Sequence, residues 1–389
     1  MPVLSGRSAV LLLKRGRGIS SKKYVGFIVD GALPSLAHSL RLKCSPRVLL
    51  SGWPQSSSVA MMRFGWIAEH VNKDCSHGFF YELYRPWRKY SVVIFLKSMD
   101  KDCLALVREL KEKGIKSIFD LNVDYLTPAT GVFYYAAMAP TEKQRLAATS
   151  MINACDAVIA DSSHLQEIAA AKNSRTKWVH DNVRSDLIAE HTTWRPKSNE
   201  LIPLLWSGES VKLYDLLRIR HVLVEYSKYF HLKIVTNSLE ALKHWPDTLR
   251  HDIYSMLGQI SHQIIPFVSI EKLMAEYSLG GVFISPRFLD NSYNLGHTEW
   301  KITLPLARGR FVLCSDQQSY KDVYTRCNRT GMRVCANAEE WRMGFEEILS
   351  GMFSWESEQQ TAIDVVRKWY STPVVGAQHL DFIKEVSCN

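Results

Sequence analysis

The sequence predicts an α/β fold in which two Rossmann-like domains follow one another and face each other across a cleft. Short apolar strands alternate with amphipathic helices along most of the 389 residues, a pattern typical of parallel sheets. The alternation stops once, at the polar and proline-containing stretch 193–200, and then starts again. The length is enough for two domains of ordinary size.

These observations divide the chain into four regions. Residues 1–45 form a basic lead-in segment with one strand at 24–29, and residues 373–389 form a C-terminal tail. Between them we expect a first Rossmann-like domain at 46–195 and a second at 196–372.

Buried strands in both domains are predicted from short runs of β-branched and aromatic residues. In the first domain these runs predict strands at 47–51, 91–95, 116–119, 157–160 and 177–179, and helices at 61–70, 100–113, 142–155 and from 163. In the second domain they predict strands at 202–206, 232–236, 263–268, 281–284 and 311–314, and helices at 214–229, 270–277, 299–307 and 357–370.

The most informative segment of the chain is 284–322. A strand ends there in the loop Asn-Leu-Gly-His-Thr, which comes just before a helix whose N-cap is predicted to be Thr298. Unpaired backbone N–H groups at such a helix start favour phosphate. Asn294, His297 and Lys301 add side-chain donors at the same place. The segment therefore suits the diphosphate of a nucleotide-activated substrate.

This segment resembles the nucleotide-sugar half of GT-B glycosyltransferases, in particular the retaining, glycogen synthase-like bacterial transferases of polysaccharide assembly. The resemblance is carried by Asn294, by Lys301 seven residues later, and by the helix that runs into Gly309 and the strand after it. Many retaining members have a Glu where this chain has Gly296, and another where it has Leu304, which in the family holds the donor ribose. The resemblance implies metal-independent transfer from a nucleotide diphosphate-sugar, without a cofactor, to a glycan, lipid-linked or small-molecule acceptor.

Other parts of the predicted donor site follow strands of the second domain. Open α/β sheets bind ligands beyond the carboxyl ends of their strands. The donor-site candidates are Gly208, Ser210, Lys212, Phe267, Val268, Asn294, Gly296, His297 and Thr298. The resemblance places the nucleobase against Phe267 and Val268. The alternative is that these residues form ordinary turns and core contacts.

The first domain is expected to bind the acceptor. Asp120 and Asp124 follow a buried strand, and a carboxylate there could orient a hydroxyl or act as a base. By resemblance, Gly52 and Trp53 belong to the first loop of this domain. His180 follows its last strand and can hydrogen-bond a sugar. We predict catalytic roles for Asp124, His180 and Lys301, against the alternative of structural caps and turns.

The charge of +9 is concentrated near the N-terminus. Residues 1–50 contain one acid, Asp30, and nine basic residues: Arg7, Lys14, Arg15, Arg17, Lys22, Lys23, Arg41, Lys43 and Arg47. A basic segment can attract an anionic membrane surface, or it can act only as a solvated arm. The eight cysteines form no C-x-x-C pair, and no apolar run is long enough to span a bilayer. A cytoplasmic protein with peripheral contact at the inner face of the membrane is therefore expected.

Several classes of function are not supported by the sequence. It contains no metal-ligand spacing, no P-loop and no G-x-G-x-x-G after a strand. Three alternatives to a transferase remain: a catalytically degenerate sugar-nucleotide-binding or scaffold protein, a nucleotide-sugar epimerase, and a nucleic-acid-binding protein. The last rests only on the basic end, so no nucleic acid is expected as a partner.

Overall fold

A computed structural model describes residues 22–29, 58–74, 76–129, 131, 139–197, 199–351 and 354–388. The predicted strand at 47–51 and the acceptor-side candidates Gly52 and Trp53 lie outside these residues, as does most of the basic lead-in segment.

The first half of the chain forms a parallel six-stranded sheet. Its strands, named in chain order, are β1 Lys23–Val29, β2 Phe79–Leu83, β3 Val92–Leu96, β4 Lys116–Leu121, β5 Ala157–Ala160 and β6 Thr176–Trp178. They lie across the sheet in the order β2-β1-β3-β4-β5-β6. The strand predicted within the lead-in segment is therefore an internal strand of the first sheet.

The second half forms another parallel six-stranded sheet. Its strands are β7 Ile202–Ser207, β8 Phe230–Thr236, β9 His262–Pro266, β10 Val282–Ser285, β11 Phe311–Ser315 and β12 Met332–Cys335. They lie in the order β12-β11-β10-β7-β8-β9.

Helices connect the strands of both sheets. In the first half they are Ser58–Ala60, which continues through the π-helical segment Met61–Gly65 into Trp66–Lys73, and then Lys101–Glu112, Glu142–Ala154, Ser163–Ala170 and the 3₁₀ turn Ser185–Leu187. In the second half they are the 3₁₀ helices Ser210–Ile219 and Leu239–His244, and the α-helices Arg220–Glu225, Asp247–Leu257, Ile270–Ser278, Ser292–Leu295, Trp300–Leu306, Gln318–Arg326, Ala338–Ser350, Trp355–Trp369 and Thr372–Cys388.

The predicted strands within the described residues are confirmed to within a few residues. Other elements were not predicted: the strands β2 and β12, and the helical segments Ser185–Leu187, Leu239–His244, Asp247–Leu257, Ser292–Leu295, Gln318–Arg326, Ala338–Ser350 and Thr372–Cys388. The predicted helix 214–229 is instead a 3₁₀ helix followed by a short α-helix. Within the described part, no helix combines the length and hydropathy needed to cross a bilayer.

The chain crosses between its two halves twice, and the two crossings lie side by side. Val183 forms a parallel bridge with Ser371, and its amide donates to the Tyr370 carbonyl over 2.7 Å. Beyond this bridge the last helix, Thr372–Cys388, packs against Trp66–Lys73 of the first half. The segment predicted as a C-terminal tail thus completes the packing of the first domain.

Candidate functional site

Three basic side chains meet at the carboxyl edge of the second sheet. Lys212 follows β7, Arg287 follows β10, and Lys301 lies in the first turn of Trp300–Leu306. Asp215 is fully buried among them, and its Oδ2 is 3.7 Å from Arg287 Nη1. After the effect of burial, Arg287 lowers the pKa of Lys212, and Arg287 and Lys212 both lower the pKa of Lys301. The positive charge here therefore exceeds the negative charge.

Lys301 is a buried cation without a hydrogen-bond partner among the described residues. Its Nζ lies 4.5 Å from the centre of the Trp206 ring, and no acceptor is within reach. Burial, and then the charge of Arg287, lower the pKa of Lys301 well below its ordinary range. A bound anion would remove both penalties.

Arg287 and Asn294 hold one another in place. Arg287 Nη1 donates to Asn294 Oδ1 over 3.2 Å, while Asn294 Nδ2 donates to the Phe288 carbonyl over 2.8 Å. Arg287 Nε has no partner among the described residues. The predicted phosphate donor Asn294 is thus committed to internal contacts, and the unpaired N–H belongs to Arg287, which the sequence analysis did not identify.

Lys212 and His297 form a second contact in the same cluster. Lys212 Nζ is 3.3 Å from His297 Nε2. Burial, and then Arg287, lower the pKa of Lys212 to about 8. Burial and the neighbouring cations lower the pKa of His297 well below its ordinary range, so the imidazole is neutral and its Nε2 can accept from Lys212.

The predicted residues Gly208 and Ser210 shape the loop after β7. A Cβ on Gly208 would lie 3.0 Å from the Trp206 ring, so a side chain there would crowd the ring that Lys301 covers. Ser210 Oγ donates to the Ser238 carbonyl over 2.9 Å, and its amide donates to Asn237 Oδ1 over 2.6 Å. Ser210 therefore fixes the loop to the one after β8.

Phe267 and Val268 present an apolar surface just after β9. Phe267 is 48% exposed and Val268 is 71% exposed. The Phe267 amide donates to the Thr236 carbonyl over 2.7 Å, which keeps the segment at the edge of the sheet. The next residue, Ser269, caps the helix Ile270–Ser278. An exposed apolar pair at this edge is available to a flat ligand group.

The two positions where the family has acids have structural roles here. A Cβ on Gly296 would lie 2.8 Å from Asp124 Cβ and 2.9 Å from Asp124 N, so the loop of the second half touches the first half there. Leu304 is 2% exposed and belongs to a core cluster. The predicted cap at Thr298 is wrong: the helix begins at Trp300, and its cap residue Glu299 makes no side-chain cap bond. Thr298 Oγ1 accepts from the Trp300 amide, over 3.3 Å.

Asp124 is buried, and both of its carboxylate oxygens are bonded. Oδ1 accepts from the amides of Leu126 and Thr127 over 3.0 and 2.9 Å, and Oδ2 is 3.3 Å from His164 Nε2. Burial raises the pKa of Asp124, but the bonds from His164 and Thr127 outweigh it and lower the pKa overall. A carboxylate bonded in this way is a weak base and a well-fixed loop anchor.

Asp120 is paired inside the first half with Arg63, which sequence reasoning missed. Arg63 Nε lies 2.9 and 3.0 Å from the two Asp120 oxygens, and Nη1 is 2.7 Å from Asp181 Oδ1. Burial nevertheless raises the pKa of Asp120 to about 6, against the opposing effect of Arg63. Asp120 therefore belongs to a buried ion network beneath the predicted acceptor surface.

His180 joins the two halves. Its Nδ1 is 2.8 Å from Oε1 of the fully buried Glu299. Trp300 Nε1 donates to the Asn182 carbonyl over 3.1 Å, next to this contact. Glu299 was also missed, although its place immediately before a helix could have identified it. In the described part of the chain, no three His, Cys, Asp or Glu side chains are grouped so that they could hold a metal ion.

Comparisons with known proteins give matches at the level of structure. No protein-family model matches the chain, and no curated protein sequence does. A glycosyltransferase from Rickettsia africae ESF-5 superposes with a TM-score of 0.60 at 11% identity, over 95% of this chain and 100% of that one. Anabaena Alr3699/HepE in complex with UDP gives 0.60 at 9% identity, over 93% and 100%.

The lipopolysaccharide outer core galactosyltransferase WaaB superposes with a TM-score of 0.59 at 12% identity, over 93% of this chain and 99% of that chain. At such low identities the likeness concerns the fold. These neighbours are GT-B glycosyltransferases, and like them this chain is built from two parallel sheets with connecting helices. The chain therefore has the GT-B fold, as the sequence predicted.

Proposed function

We propose that the protein is a glycosyltransferase that moves a sugar from a nucleotide diphosphate-sugar to an acceptor, in the synthesis of a glycan or polysaccharide. The observation that carries the proposal is the buried ammonium of Lys301, which lies beside Arg287 and Lys212 and has no hydrogen-bond partner among the described residues. A diphosphate supplies the negative charge that this cluster lacks. The fold supports the same reading, because one structural neighbour, HepE, is in complex with UDP.

Each part of the cluster has a role in this proposal. Lys301, Lys212 and Arg287 bind the diphosphate and stabilise the charge that develops on it as the sugar leaves. Gly208 lets the backbone approach the ligand, and the exposed Phe267–Val268 pair packs against the nucleobase. Because these cations can balance the leaving charge, we propose that no divalent ion is needed.

The acceptor side of the proposal rests on fewer contacts. His180 is oriented through Nδ1 by Glu299, which leaves Nε2 as the atom that could bond a sugar or an acceptor hydroxyl. Asp124 fixes the neighbouring loop. A retaining outcome follows from the resemblance of the 284–322 segment, and the acceptor is a glycan, a lipid-linked sugar or a small molecule.

Nucleotide binding tests the proposal directly. Calorimetry at pH 7 with UDP, GDP, ADP and dTDP should give one diphosphate that binds without added metal and in the presence of a chelator. Lys301→Ala should weaken that binding by ~1.5–3 kcal/mol, the usual range for a hydrogen bond to a charged group.

Lys228→Ala is the matched control, because Lys228 is an exposed lysine next to the opposite, amino-terminal end of β8. The Lys228→Ala variant should bind the nucleoside diphosphate with the affinity of the wild type. If no diphosphate binds to the wild type, or if Lys301→Ala binds as tightly, the proposal is wrong. Transfer of a labelled sugar to an acceptor would then indicate a transferase. Release of free nucleotide without an acceptor product would indicate an epimerase.

We also propose that the basic N-terminal segment attracts an anionic membrane surface. The support is its charge, nine basic residues and one acid within residues 1–50. Co-sedimentation with phosphatidylserine vesicles should be strong at low salt and should decrease when residues 1–21, which precede β1, are deleted. Equal binding to neutral vesicles, or no binding at low salt, would contradict this proposal.

A further inference from the structure

Lys97 has a backbone conformation that is unfavourable for its residue type. It is the first residue after β3, at the carboxyl edge of the first sheet, and its φ is +54°. The left-handed region crowds the Cβ of any residue other than glycine, so such residues persist where the surroundings hold them there. Strain of this kind often accompanies function.

The contacts of Lys97 do not explain the strain. Its amide donates to the Asp120 carbonyl over 3.3 Å, a long hydrogen bond. The side chain is half-buried, and it makes no hydrogen bond or ion pair with any residue that the structure describes.

Lys97 lies near the second half through the neighbouring strand: β3 pairs with β4, β4 leads to Asp124, and a Cβ on Gly296 would lie 2.8 Å from Asp124 Cβ. The positive charge of Lys97 helps to lower the pKa of His297, after burial and the three cations of that cluster, and it opposes the burial that raises the pKa of Tyr293. Those two rings are themselves in contact, with centroids 4.5 Å apart, and Lys212 Nζ lies 5.4 Å from the Tyr293 ring. The charge of Lys97 thus acts on two rings that Lys212 of the cation cluster also contacts.

The charges of this region leave a clear excess. Four basic side chains contribute positive charge here: Lys97, Lys212, Arg287 and Lys301. Two acids, Asp215 and Glu209, oppose them, and each acts to raise the pKa of Lys212. A nucleotide diphosphate-sugar carries two negative charges at neutral pH, and the diphosphate gains a further charge when the sugar leaves. The distal phosphate carries the sugar and must lie nearer the acceptor half than the proximal one.

We propose that Lys97 contacts the distal phosphate of the bound nucleoside diphosphate, so that the first half of the protein supplies one of the charges that stabilise the leaving group. This inference rests on the proposed function. It assigns to the acceptor-side half a residue that touches the donor. The proposed contact also explains why this sheet edge has a strained lysine without a side-chain partner among the described residues.

The test compares UDP with UMP, because only UDP has a distal phosphate, and uses pyrophosphate as a probe that does not depend on the base. Lys97→Met keeps the length of the side chain and removes its charge. We expect it to weaken UDP and pyrophosphate binding by roughly 10- to 100-fold, the range of a charged hydrogen bond. UMP affinity should stay unchanged, and Lys97→Arg should recover most of the UDP affinity.

Lys97→Gly separates function from structure. Glycine adopts a φ of +54° without strain, so the melting temperature should equal or exceed that of the wild type while UDP affinity falls as in Lys97→Met. Lys89→Met, at an exposed lysine of the same half, is the control and should bind UDP normally.

If the wild type prefers UDP to UMP and Lys97→Met keeps that preference, the role of Lys97 is overturned while the donor site stands. An equal loss of UDP and UMP affinity would also overturn it, because it would indicate general damage to the site. If the diphosphate that binds has another base, that diphosphate and its own monophosphate replace UDP and UMP in this test. If the wild type binds none of UDP, GDP, ADP, dTDP and pyrophosphate, both this inference and the proposed function are wrong.

Discussion

Lysines in this protein are the residues whose ionisation should respond most to a ligand. The pKa of Lys212 is lowered to about 8 by burial and by Arg287, and burial and Arg287 also lower the pKa of Lys301 well below its ordinary range. Near pH 8, then, a fraction of Lys212 is neutral. A bound diphosphate favours the protonated form and raises the pKa again.

Nucleotide binding should therefore take up protons. Between pH 8 and 9 we expect a net uptake when UDP binds, and an affinity that falls as the pH rises above 8. Calorimetry in two buffers of different ionisation enthalpy measures the proton number. Lys212→Met should reduce the uptake. Proton release, or an affinity that rises with pH, would contradict the sign of these shifts.

The same lysines affect stability in the opposite direction. Because the pKa of Lys212 is lower in the folded protein than its usual value of 10.5, the unfolded chain binds more protons between pH 8 and 10.5. The contribution of Lys212 to the free energy of unfolding should therefore increase as the pH rises from 8 to 10.5. Affinity and stability would then have opposite pH dependences above pH 8.

At the scale of elements, the loop between β10 and the helix Trp300–Leu306 is built around contacts with the other half. Gly296 has an ordinary φ of −78°, so glycine is not required there by backbone conformation. It is required by space, since a Cβ would lie 2.8 Å from Asp124 Cβ. Asp124 cannot easily retreat, because Leu126, Thr127 and His164 all bond its carboxylate.

Restoring the acid of the related transferases should therefore damage this protein. We expect Gly296→Ala to cost ~1–3 kcal/mol of stability through overpacking, and Gly296→Glu to cost more and to lower UDP affinity. Denaturant unfolding and calorimetry measure both effects. Gly258→Ala is the control, since its Cβ would lie 3.4 Å from the Tyr254 carbonyl oxygen and 3.7 Å from that of Ser255, which are ordinary contacts. A gain of activity in Gly296→Glu would show that the loop can move aside.

The sequence was sufficient for elements formed by continuous apolar runs. Strands β3 and β5 are such runs, and each was predicted close to its final bounds. The strand β2, Phe79–Leu83, was missed because it is short and is interrupted by Glu82, so its apolar run is too brief to separate from a loop by pattern alone. Lys301 was found through its spacing from Asn294, which a resemblance can supply.

The partners of the site residues could not be predicted in the same way. Arg63 is 57 residues from Asp120, and Asp215 is 72 residues from Arg287 in sequence. A pairing between such distant residues depends on how the strands are ordered in the sheet. It leaves no local pattern in composition or spacing, so a lone Arg or Asp at a strand end is read as a surface residue.

At the scale of the whole molecule, a small region next to the chain crossings holds the two halves together. The bridge between Val183 and Ser371 fixes the crossings. Just before Val183 in sequence, His180 bonds Glu299 and the Asn182 carbonyl accepts from Trp300. Glu299 comes directly before the helix that carries Lys301. The interdomain contact and the proposed donor site therefore share one element.

Loss of the Glu299 carboxylate should loosen the two halves without unfolding either. Glu299→Ala removes the partner of His180, so we expect a larger radius of gyration by small-angle scattering, and a decrease towards the wild-type value when UDP is added. Glu299→Gln, which keeps an acceptor oxygen for Nδ1, should stay close to the wild type. The exposed Glu339→Ala serves as the control. If Glu299→Ala keeps the wild-type radius while it remains folded, the contact is not what holds the halves together. In that case the bridge at Val183 and the last helix would be sufficient.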